Sequence, residues 1–316
     1  MTRVSILTPS YNQAQFLPAT IDSVLSQDYP EIEYLIVDGG SSDGSRAVLE
    51  AIRDPRVRWV SEKDKGQANA LNKGLQAATG DILTFINSDD RLLPGAVRFA
   101  VEHFAAHPET DLLHGDCEAI DTDGRHLHVL TSAPLDLAAW LTGRHPNVHQ
   151  PGTFWRRRLT DRIGLFDEGM HYSFDGDYWV RAVLAGLRLD YVPGERAQYR
   201  FHETSKTVSQ TDRFYDDWLR IVDKVFSDPA AGEALRSIRP EMESFAAWHY
   251  GKLMWRCRQY DRARPLLRQA GRSPRVVRRL LSRVMLLETY TGTRLTMTVA
   301  NLFRRLGGYD VGGLHW

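Results

Sequence analysis

The chain has 316 residues, 42% of them apolar, and its 40 basic side chains balance its 40 acidic ones, so the formal net charge is zero. This length suits one α/β unit plus an added segment, and a neutral chain has no overall charge that would attract nucleic acid. Cys117 and Cys257 are too few and too far apart for a disulfide framework or a zinc site. The N-terminal apolar run is too short for a signal peptide, and no run reaches the roughly 20 apolar residues that cross a bilayer. We therefore expect a protein of the reducing cytoplasm, either soluble or peripherally attached to a membrane.

The first 90 residues alternate short apolar runs with segments of helical spacing. Strands are predicted at 4–7, 34–37, 57–60 and 82–86, and helices at 15–27, 42–53 and 67–78. This alternation is typical of a mostly parallel sheet with helices on both faces, in which ligands bind at the carboxyl ends of the strands. Polar clusters at 10–12, 38–40 and 87–90 occupy those ends. The usual glycine-rich dinucleotide motif and the P-loop lysine motif do not occur.

Two acidic positions stand out at these strand ends. Asp89 and Asp90 follow the fourth strand, and because successive side chains on a strand point to opposite sides, one can reach a metal ion and the other a ribose hydroxyl. Mg²⁺ takes few protein carboxylates when a ligand diphosphate completes its shell. A turn cap is the alternative, since aspartates are common in turns. Asp38 precedes two glycines that let the backbone approach a ligand closely; an ordinary strand-to-helix turn explains Ser42 or Asp43, but not Asp38.

From about residue 111 the pattern is looser. Strands are predicted at 111–119, 125–130, 148–156, 188–193 and 196–202, around a helix at about 175–186. From about 211 the spacing is helical throughout. We therefore place a boundary near residue 210, between an α/β unit (1–210) and a helical C-terminal region (211–316).

Five segments occur in a fixed order: TPSYN (8–12), DGGSSDG (38–44), KGQANALNKG (65–74), GD (80–81) and NSDD (87–90). They resemble the pattern of glycosyltransferase family 2, over about residues 3–205. The resemblance implies the GT-A fold, with a nucleotide-sugar half at about 1–110 and an acceptor half at about 111–210. It also implies inverting transfer from a nucleotide-sugar, here a UDP-sugar, with Mg²⁺ or Mn²⁺. The acceptor would be a glycan or a lipid-linked glycan, as in the synthesis of cell-surface polysaccharides or glycoconjugates.

The resemblance also assigns residues. It implies that Asp89 lies near the ribose and Asp90 on the metal. The nucleotide-sugar pocket would be lined by Thr8, Pro9, Tyr11, Asp38, Asp64, Gly66 and Asn69. The segment at 149–156 is similar to one that lines the acceptor side, which implies roles for His149, Gln150 and Trp155. An Arg-x-His segment follows the last strand, and its His202 would contact the metal or the diphosphate, although a lone histidine can also be structural.

The region at 166–181 resembles the family segment in which a Glu-Asp pair begins a helix. Phe174 occupies the glutamate position, which is a departure, and Asp175 occupies the aspartate position of the general base. A carboxylate within about 3 Å of the attacking hydroxyl can take its proton, and a helix N-terminus keeps such a carboxylate ionised. The alternative is that Asp175 or Asp177 only caps the helix. We expect Asp175 to be the base and Asp177 the cap.

The region after residue 210 carries ten arginines between 256 and 283, against a single acidic residue, Asp261. Further apolar and basic residues follow at 280–287 and 302–305. A basic helix with an apolar face can lie on an anionic membrane, and a solvated face is an equal alternative. No nucleic-acid-reading motif accompanies the arginines. Residues 248–274 resemble one tetratricopeptide-type helix pair, which predicts a helical hairpin. We expect the region after about residue 210 to serve the acceptor or the membrane rather than the donor, because nothing in it is needed for the donor chemistry.

Two other functions compete with transfer. A catalytically inactive nucleotide-sugar or glycan binder of the same fold is disfavoured because Asp89, Asp90 and Asp175 occur together, and a binder needs no base. A nucleotidyltransferase would use a glycine- and arginine-rich loop after the first strand, which residues 10–12 do not form.

Overall fold

The computed structural model describes residues 1–144, 148–206, 213–273, 275–292 and 296. The strands are β1 (Val4–Ser10), β2 (Ile32–Asp38), β3 (Val57–Ser61), β4 (Ile82–Phe85), β5 (Arg91–Leu92), β6 (Leu112–Ile120), β7 (His126–Leu130), β8 (Phe154–Arg156) and β9 (Leu189–Arg200). The helices up to residue 206 are α1 (Leu17–Leu25), α2 (Ser45–Glu50), α3 (Gln67–Ala77), α4 (Ala96–Ala106), α5 (Leu137–Leu141), α6 (Arg157–Ile163) and α7 (Phe174–Leu184). Those after residue 213 are α8 (Phe214–Ser227), α9 (Pro229–Leu235), α10 (Arg239–Arg256), α11 (Tyr260–Ala270) and α12 (Val276–Thr291), with a 3₁₀ turn at Arg236–Ile238.

The described strands form one sheet in the order β3-β2-β1-β4-β8-β6-β9-β5, with β7 paired to β6. β1 to β4 are mutually parallel, and β6 and β9 are parallel to each other, whereas β8, β7 and β5 run antiparallel to their neighbours. Helices flank this sheet. The prediction of an α/β protein with a mostly parallel sheet is therefore confirmed.

The pairing register gathers the polar strand ends at one edge of the sheet. Ser10 pairs with Asp38, and Asp38 pairs with Ser61, so the last residues of β1, β2 and β3 lie side by side. On the other side of β1, Leu7 pairs with Phe85, the last residue of β4. The segment after β4 therefore leaves the sheet at the same edge as the turn after β2.

Several boundaries differ from the predicted ones. α2 begins at Ser45 because Gly44 has φ 104° and the Asp43 carboxylate accepts from the Ser45 N–H at 3.0 Å, which makes a turn of the preceding residues. The two strands predicted at 188–193 and 196–202 are the single strand β9. Gly194, at φ 108°, lets this strand pass through an irregular register against β6 and continue.

Two apolar clusters cover the two faces of the sheet. Alternating residues of β1 divide between them: Val4 and Ile6 pack with α1 and α4, whereas Leu7 packs with α3 and α7. The cluster that contains Leu7 continues without interruption into the C-terminal helices, where it includes Trp218 and Trp248. The predicted division near residue 210 itself lies outside the described residues, but the helices after it share a core with the sheet.

The C-terminal helices contain the expected hairpin, formed by α10 and α11. A Cβ on Gly251 would lie 3.1 Å from the Leu266 Cβ, so the two helices approach closely at this point. α12 packs against both through Leu281 and Met285, which are fully buried. No helix within the described residues is both long enough and apolar enough to cross a membrane. The apolar and basic residues at 302–305 lie outside the described residues.

Candidate active site

The turn after β4 is stabilised by the buried side chain of Asp90. The residue is 2% exposed, and its carboxylate accepts hydrogen bonds from the Arg200 backbone N–H at 2.9 Å and from Asn87 Nδ2 at 3.0 Å. Burial, followed by the charge of Asp89, raises the pKa of the Asp90 carboxyl well above its ordinary value. The structure thus gives this carboxylate an internal, hydrogen-bonded position, and its contact with a metal stays a prediction.

Arg200, the arginine of the Arg-x-His segment, fixes the same turn. Its buried guanidinium donates through Nε to the Asp89 carbonyl at 2.8 Å. Nη1 donates to the carbonyls of Asp121 at 2.9 Å and Thr122 at 3.0 Å. Because these carbonyls belong to two different loops, the arginine locks the backbone that carries Asp89 against the end of β6.

Asp89 and His202 form a pair at the edge of this turn. Asp89 Oδ2 lies 2.9 Å from His202 Nε2, and the aspartate side chain remains 18% exposed. His202 Nδ1 lies 2.9 Å from Thr204 Oγ1, and its ring centroid is 4.8 Å from that of Phe16. A second partner on the other ring nitrogen is how proteins orient metal-binding histidines. The residue predicted beside the ribose thus pairs with the histidine predicted at the metal.

These two donors fit a hard divalent ion that takes the rest of its ligands from elsewhere. Within the described residues, no group of three or more His, Cys, Asp or Glu side chains is placed to hold a metal. Mg²⁺ is commonly bound through one or two carboxylates together with substrate phosphates and water. A carboxylate, an oriented imidazole and a bound diphosphate would supply such a set.

Asp38 organises the turn after β2. Its buried carboxylate accepts from the backbone N–H groups of Ser41 at 2.9 Å and Gly40 at 3.2 Å. It also accepts from the hydroxyls of Ser41 at 2.5 Å and Ser61 at 2.7 Å. The Asp38 carboxylate is therefore fully hydrogen-bonded within the strand-to-helix turn. We did not expect this structural role for Asp38 from the sequence. Its oxygens shape the loop that borders the predicted nucleoside pocket.

Asp64 lies directly over this turn. A Cβ on Gly39 would be 2.6 Å from Asp64 Oδ2, so a side chain at position 39 would displace the Asp64 carboxylate. Asp64 Oδ1 accepts from the Gly66 N–H at 2.8 Å, and Gly66, at φ 117°, begins α3 in a backbone conformation that disfavours a side chain. Asp38, Asp64 and Gly66 are thus brought together, as expected for residues of one pocket.

Three other predicted pocket residues have different surroundings. Tyr11 is 63% exposed on the loop after β1, where its ring is open to a ligand. Pro9 is buried in the strand. The Thr8 hydroxyl lies 3.0 Å from the Tyr34 hydroxyl in the interior, so its side chain does not reach the open edge.

Asn69 contacts the segment before α7. Its Nδ2 donates to Glu168 Oε1 at 3.0 Å, and Asn72 Nδ2 donates to the same oxygen at 3.1 Å. Asn72 also donates to the Phe166 carbonyl at 2.9 Å. α3 is therefore tied to the polypeptide that leads to Asp175, and the proposed contact of Asn69 with the nucleotide stays a prediction.

Asp175 lies in the first turn of α7 and is partly buried. Its Oδ1 accepts from the Gly176 N–H at 2.8 Å. Burial raises the pKa of Asp175 from its ordinary 3.8 to about 6, with smaller effects from Lys206, which lowers it, and Asp217, which raises it. This carboxylate is therefore ionised at neutral pH and is a stronger base than an ordinary aspartate.

Asp177 is not the cap that we expected. It is buried and forms ion pairs with Arg181 Nε at 2.9 Å and Lys224 Nζ at 2.6 Å. Its own backbone N–H donates to the Ser173 carbonyl, as in any helix interior. The group has a structural role between α7 and α8, and sequence spacing alone did not reveal the cation on α8.

Lys206 is a site residue that the motifs did not indicate. Its Nζ donates to Gln67 Oε1 at 3.1 Å and to the His171 carbonyl at 3.0 Å. The carboxylates whose charges act on this ammonium group belong to Asp175, Asp217, Asp64 and Asp89. Lys206 thus places a positive charge near enough to interact with both the predicted base and Asp89. The sequence feature that could have indicated Lys206 as a site residue is its position four residues after His202.

The three residues predicted on the acceptor side do not form one open surface. Trp155 is fully buried among core aromatic rings, and its Nε1 donates to Thr160 Oγ1 at 3.0 Å, so no face of the ring is open to an acceptor. Gln150 is buried and donates to the Phe85 carbonyl at 2.6 Å, which supports the end of β4. His149 is partly exposed, and burial lowers its pKa.

Comparison with known proteins identifies the family. Residues 5–164 match the family model described as Glycosyl transferase family 2. The chain belongs to glycosyltransferase family 2. It is 33% identical over 185 residues to an uncharacterized glycosyltransferase of Mycobacterium tuberculosis, which covers 57% of this chain and 69% of that protein. It is 27% identical over 237 residues to the succinoglycan biosynthesis protein ExoO of Rhizobium meliloti, which covers 71% and 67% respectively.

Solved structures show the same fold. S. aureus TarS 1–349 in complex with UDP-GlcNAc superposes with a TM-score of 0.62 at 17% identity, over 96% of this chain and 92% of TarS 1–349. The mannosyltransferase PcManGT from Pyrobaculum calidifontis, in complex with GDP-Man and Mn²⁺, superposes with a TM-score of 0.62 at 20% identity, over 98% and 88%. This family 2 glycosyltransferase therefore shares its architecture, including the C-terminal helices, with proteins that bind nucleotide-sugars.

Proposed function

We propose that this glycosyltransferase transfers a sugar from a UDP-sugar to a hydroxyl of a glycan or lipid-linked glycan, with inversion at the anomeric carbon. The observation that carries the proposal is the arrangement around Lys206. The charge of this lysine acts both on Asp175, a partly buried carboxylate with a pKa of about 6, and on Asp89, which pairs with His202. A binder has no need of such a base.

Asp89 and His202 would hold the Mg²⁺ or Mn²⁺ ion, in place of the Asp90 and His202 set that the sequence suggested. Such an ion supplies positive charge that stabilises a diphosphate leaving group. Lys206 adds a second positive charge near the proposed metal site, because its ammonium group lies in the field of Asp89. Asp90 and Arg200 keep the backbone of Asp89 in place from behind.

Asp175 would act on the acceptor. As the acceptor oxygen bonds to the anomeric carbon, its proton passes to the Asp175 carboxylate, while the bond from that carbon to the diphosphate oxygen breaks and its electron pair leaves with the diphosphate. A base with a pKa of about 6 remains ionised at neutral pH and accepts the proton more readily than an ordinary aspartate. Attack from the face opposite the leaving group inverts the configuration.

We propose that the nucleoside of the UDP-sugar binds between Tyr11 and Asp64. The exposed Tyr11 ring offers a surface on which a nucleobase can stack, and the ordered turn around Asp38 offers backbone groups for hydrogen bonds. UDP is the favoured nucleotide because a similar structure, TarS, contains UDP-GlcNAc. A role in polysaccharide synthesis is supported by the likeness to the succinoglycan biosynthesis protein ExoO.

The test is a donor screen with and without acceptor. UDP-, GDP- and dTDP-sugars are added with Mn²⁺, and both the melting temperature and the release of nucleoside diphosphate are measured. We expect one UDP-sugar to stabilise the protein, by about 2.7 kcal/mol at 100 times its Kd, and to release UDP faster when a glycan acceptor is present. Stabilisation without release under any condition would favour the inactive binder. No stabilisation by any donor would refute the proposal.

We also propose that α12 contacts an anionic membrane. The support comes from the exposed residues of this helix and not from the number of arginines in the region. Arg275 is already paired with Glu241 at 2.7 Å, and Arg278 is partly buried over the Phe245 ring. The exposed residues of α12 follow a helical stripe: Val276, Leu280, Arg283, Leu287 and Tyr290. An exposed apolar stripe that includes a basic side chain is suited to a lipid surface.

A further inference from the structure

The backbone just before α7 is held by a carboxylate from a different helix. Asp217, on α8, accepts through its Oδ2 from three successive backbone N–H groups. The distances are 3.0 Å to His171, 2.7 Å to Tyr172 and 3.0 Å to Ser173. Asp217 is 6% exposed. Asp175 follows this segment by two residues.

These three N–H groups lie immediately before the first helical residue of α7, Phe174. Ser173 is the N-cap residue of α7 and makes no side-chain hydrogen bond to the helix, and His171 and Tyr172 precede it. A carboxylate that receives several backbone N–H groups makes strong, charge-assisted hydrogen bonds. Asp217 therefore fixes, from α8, the backbone that leads into α7.

Further contacts keep α8 in register with α7. Lys224 Nζ lies 2.6 Å from Asp177 Oδ1 and 3.0 Å from Asp167 Oδ2. Ile221 lies against Gly176, in the first turn of α7. Because these contacts come from the two turns of α8 that follow Asp217, they hold this helix against α7 next to the Asp217 carboxylate.

We propose that Asp217 is a positioning residue for the general base: its carboxylate sets the backbone at 171–173 and thereby the position of Asp175. The inference rests on the proposed function of Asp175. It also gives the region after residue 210 a part in the acceptor chemistry, through a residue that the sequence did not indicate. Proton transfer requires a base within hydrogen-bonding reach of the acceptor hydroxyl, and a misplacement of about 1 Å can cost about 100-fold in rate.

The experiment compares Asp217→Ala and Asp217→Asn with Asp223→Asn, an exposed position on the same helix. We expect Asp217→Ala to lower kcat for transfer by about 10- to 100-fold, with the donor KM and the Mn²⁺-dependent thermal shift by UDP-sugar within about twofold of wild type. Asp217→Asn keeps a carbonyl acceptor but loses the charge, and should have a smaller effect on kcat. Asp223→Asn should behave as wild type.

A second readout separates positioning from general folding. The charge of Asp217 raises the pKa of Asp175, whereas that of Lys206 lowers it. In Asp217→Asn the acidic limb of the kcat profile should therefore move to lower pH, which a loss of folded protein would not produce. The limb should keep its position in Asp223→Asn.

The outcomes distinguish the two proposals. A wild-type protein without donor-dependent turnover contradicts the proposed function itself. If the wild type is active, unchanged kcat in Asp217→Ala overturns the positioning role. Equal losses of donor binding and kcat in both Asp217 variants, with an unshifted pH profile in Asp217→Asn, would also overturn it and leave Asp217 with a purely structural role.

Discussion

Replacing Asp175 with asparagine should stabilise the fold at neutral pH and, in the same protein, remove transfer. The carboxylate is partly buried near the start of α7, and the environment opposes its charge, since burial raises its pKa from 3.8 to about 6. Asparagine has the same shape and no charge, and its carbonyl can still accept from the Gly176 N–H. The variant therefore keeps the local hydrogen bond and loses the unfavourable ionisation.

The size of the gain follows from linkage. Between pH 3.8 and about 6 the folded protein holds a proton at Asp175 that the unfolded chain has lost, so stability falls as the pH rises through this window. A shift of about 2 units corresponds to about 3 kcal/mol above pH 6. Side-chain exposure and the nearby Lys206 reduce this figure, and we expect a gain of about 1–3 kcal/mol at pH 7.5. Below pH 4 the gain should disappear.

Urea denaturation at pH 7.5 and pH 4.5 measures this difference, and transfer assays measure the loss of the base. Transfer should fall by about 10²- to 10⁴-fold, while UDP-sugar affinity with Mn²⁺ stays close to wild type. Asp177→Asn is the matched control, because its carboxylate is ion-paired with Arg181 and Lys224 and its replacement should destabilise the protein. A variant at Asp175 that is no more stable than wild type at pH 7.5, or equally stabilised at both pH values, would refute the reasoning.

Three further outcomes are expected. Asp89→Asn should weaken Mn²⁺-dependent binding of the UDP-sugar by about 100-fold in calorimetry, whereas Asp90→Asn should leave that affinity close to wild type, because the Asp90 side chain is hydrogen-bonded inside the fold to Arg200 and Asn87; the reverse pattern would restore Asp90 as the metal ligand. Lys224→Met should cost about 1–3 kcal/mol, since Asp177 keeps only one cation; an unchanged urea midpoint would contradict this. Arg283→Glu should reduce co-sedimentation with anionic liposomes without changing donor hydrolysis, and a wild-type protein that fails to bind at low salt would exclude the membrane contact.

The sheet could be predicted where the local pattern is strong. Buried strands of a parallel sheet are continuous apolar runs, and the runs that became β1, β2, β3 and β4 end at the polar clusters where the structure places the site. α4 also had a readable signal, in the helical spacing of Ala96, Val97, Ala100 and Phe104. The strand β9 was divided at Gly194 because a glycine within a strand signals either an end or a bulge, and only pairing with β6 decides between them.

The roles of individual aspartates were harder to predict from the sequence, because their hydrogen-bond partners lie far away along the chain. Adjacent positions on a strand point to opposite sides, but the sequence does not say which side is interior. The backbone N–H that receives Asp90 belongs to Arg200, 110 residues away. The N–H groups that receive Asp217 lie 44 to 46 residues before it. No local pattern encodes such contacts.

The partners of each aspartate nevertheless separate structural from available carboxylates. A buried charge is costly unless it is paired and hydrogen-bonded. Asp177 has two cations, and Asp90 has the Arg200 N–H and the Asn87 amide, so each carboxylate is committed to the fold. Asp89 instead faces an imidazole, and Asp175 accepts from the adjacent Gly176 N–H rather than from a distant part of the fold. In each of the two motifs, then, one aspartate is satisfied by the protein and the other is left with chemistry that a ligand can complete, and this division is the reason for placing the metal at Asp89 and the base at Asp175.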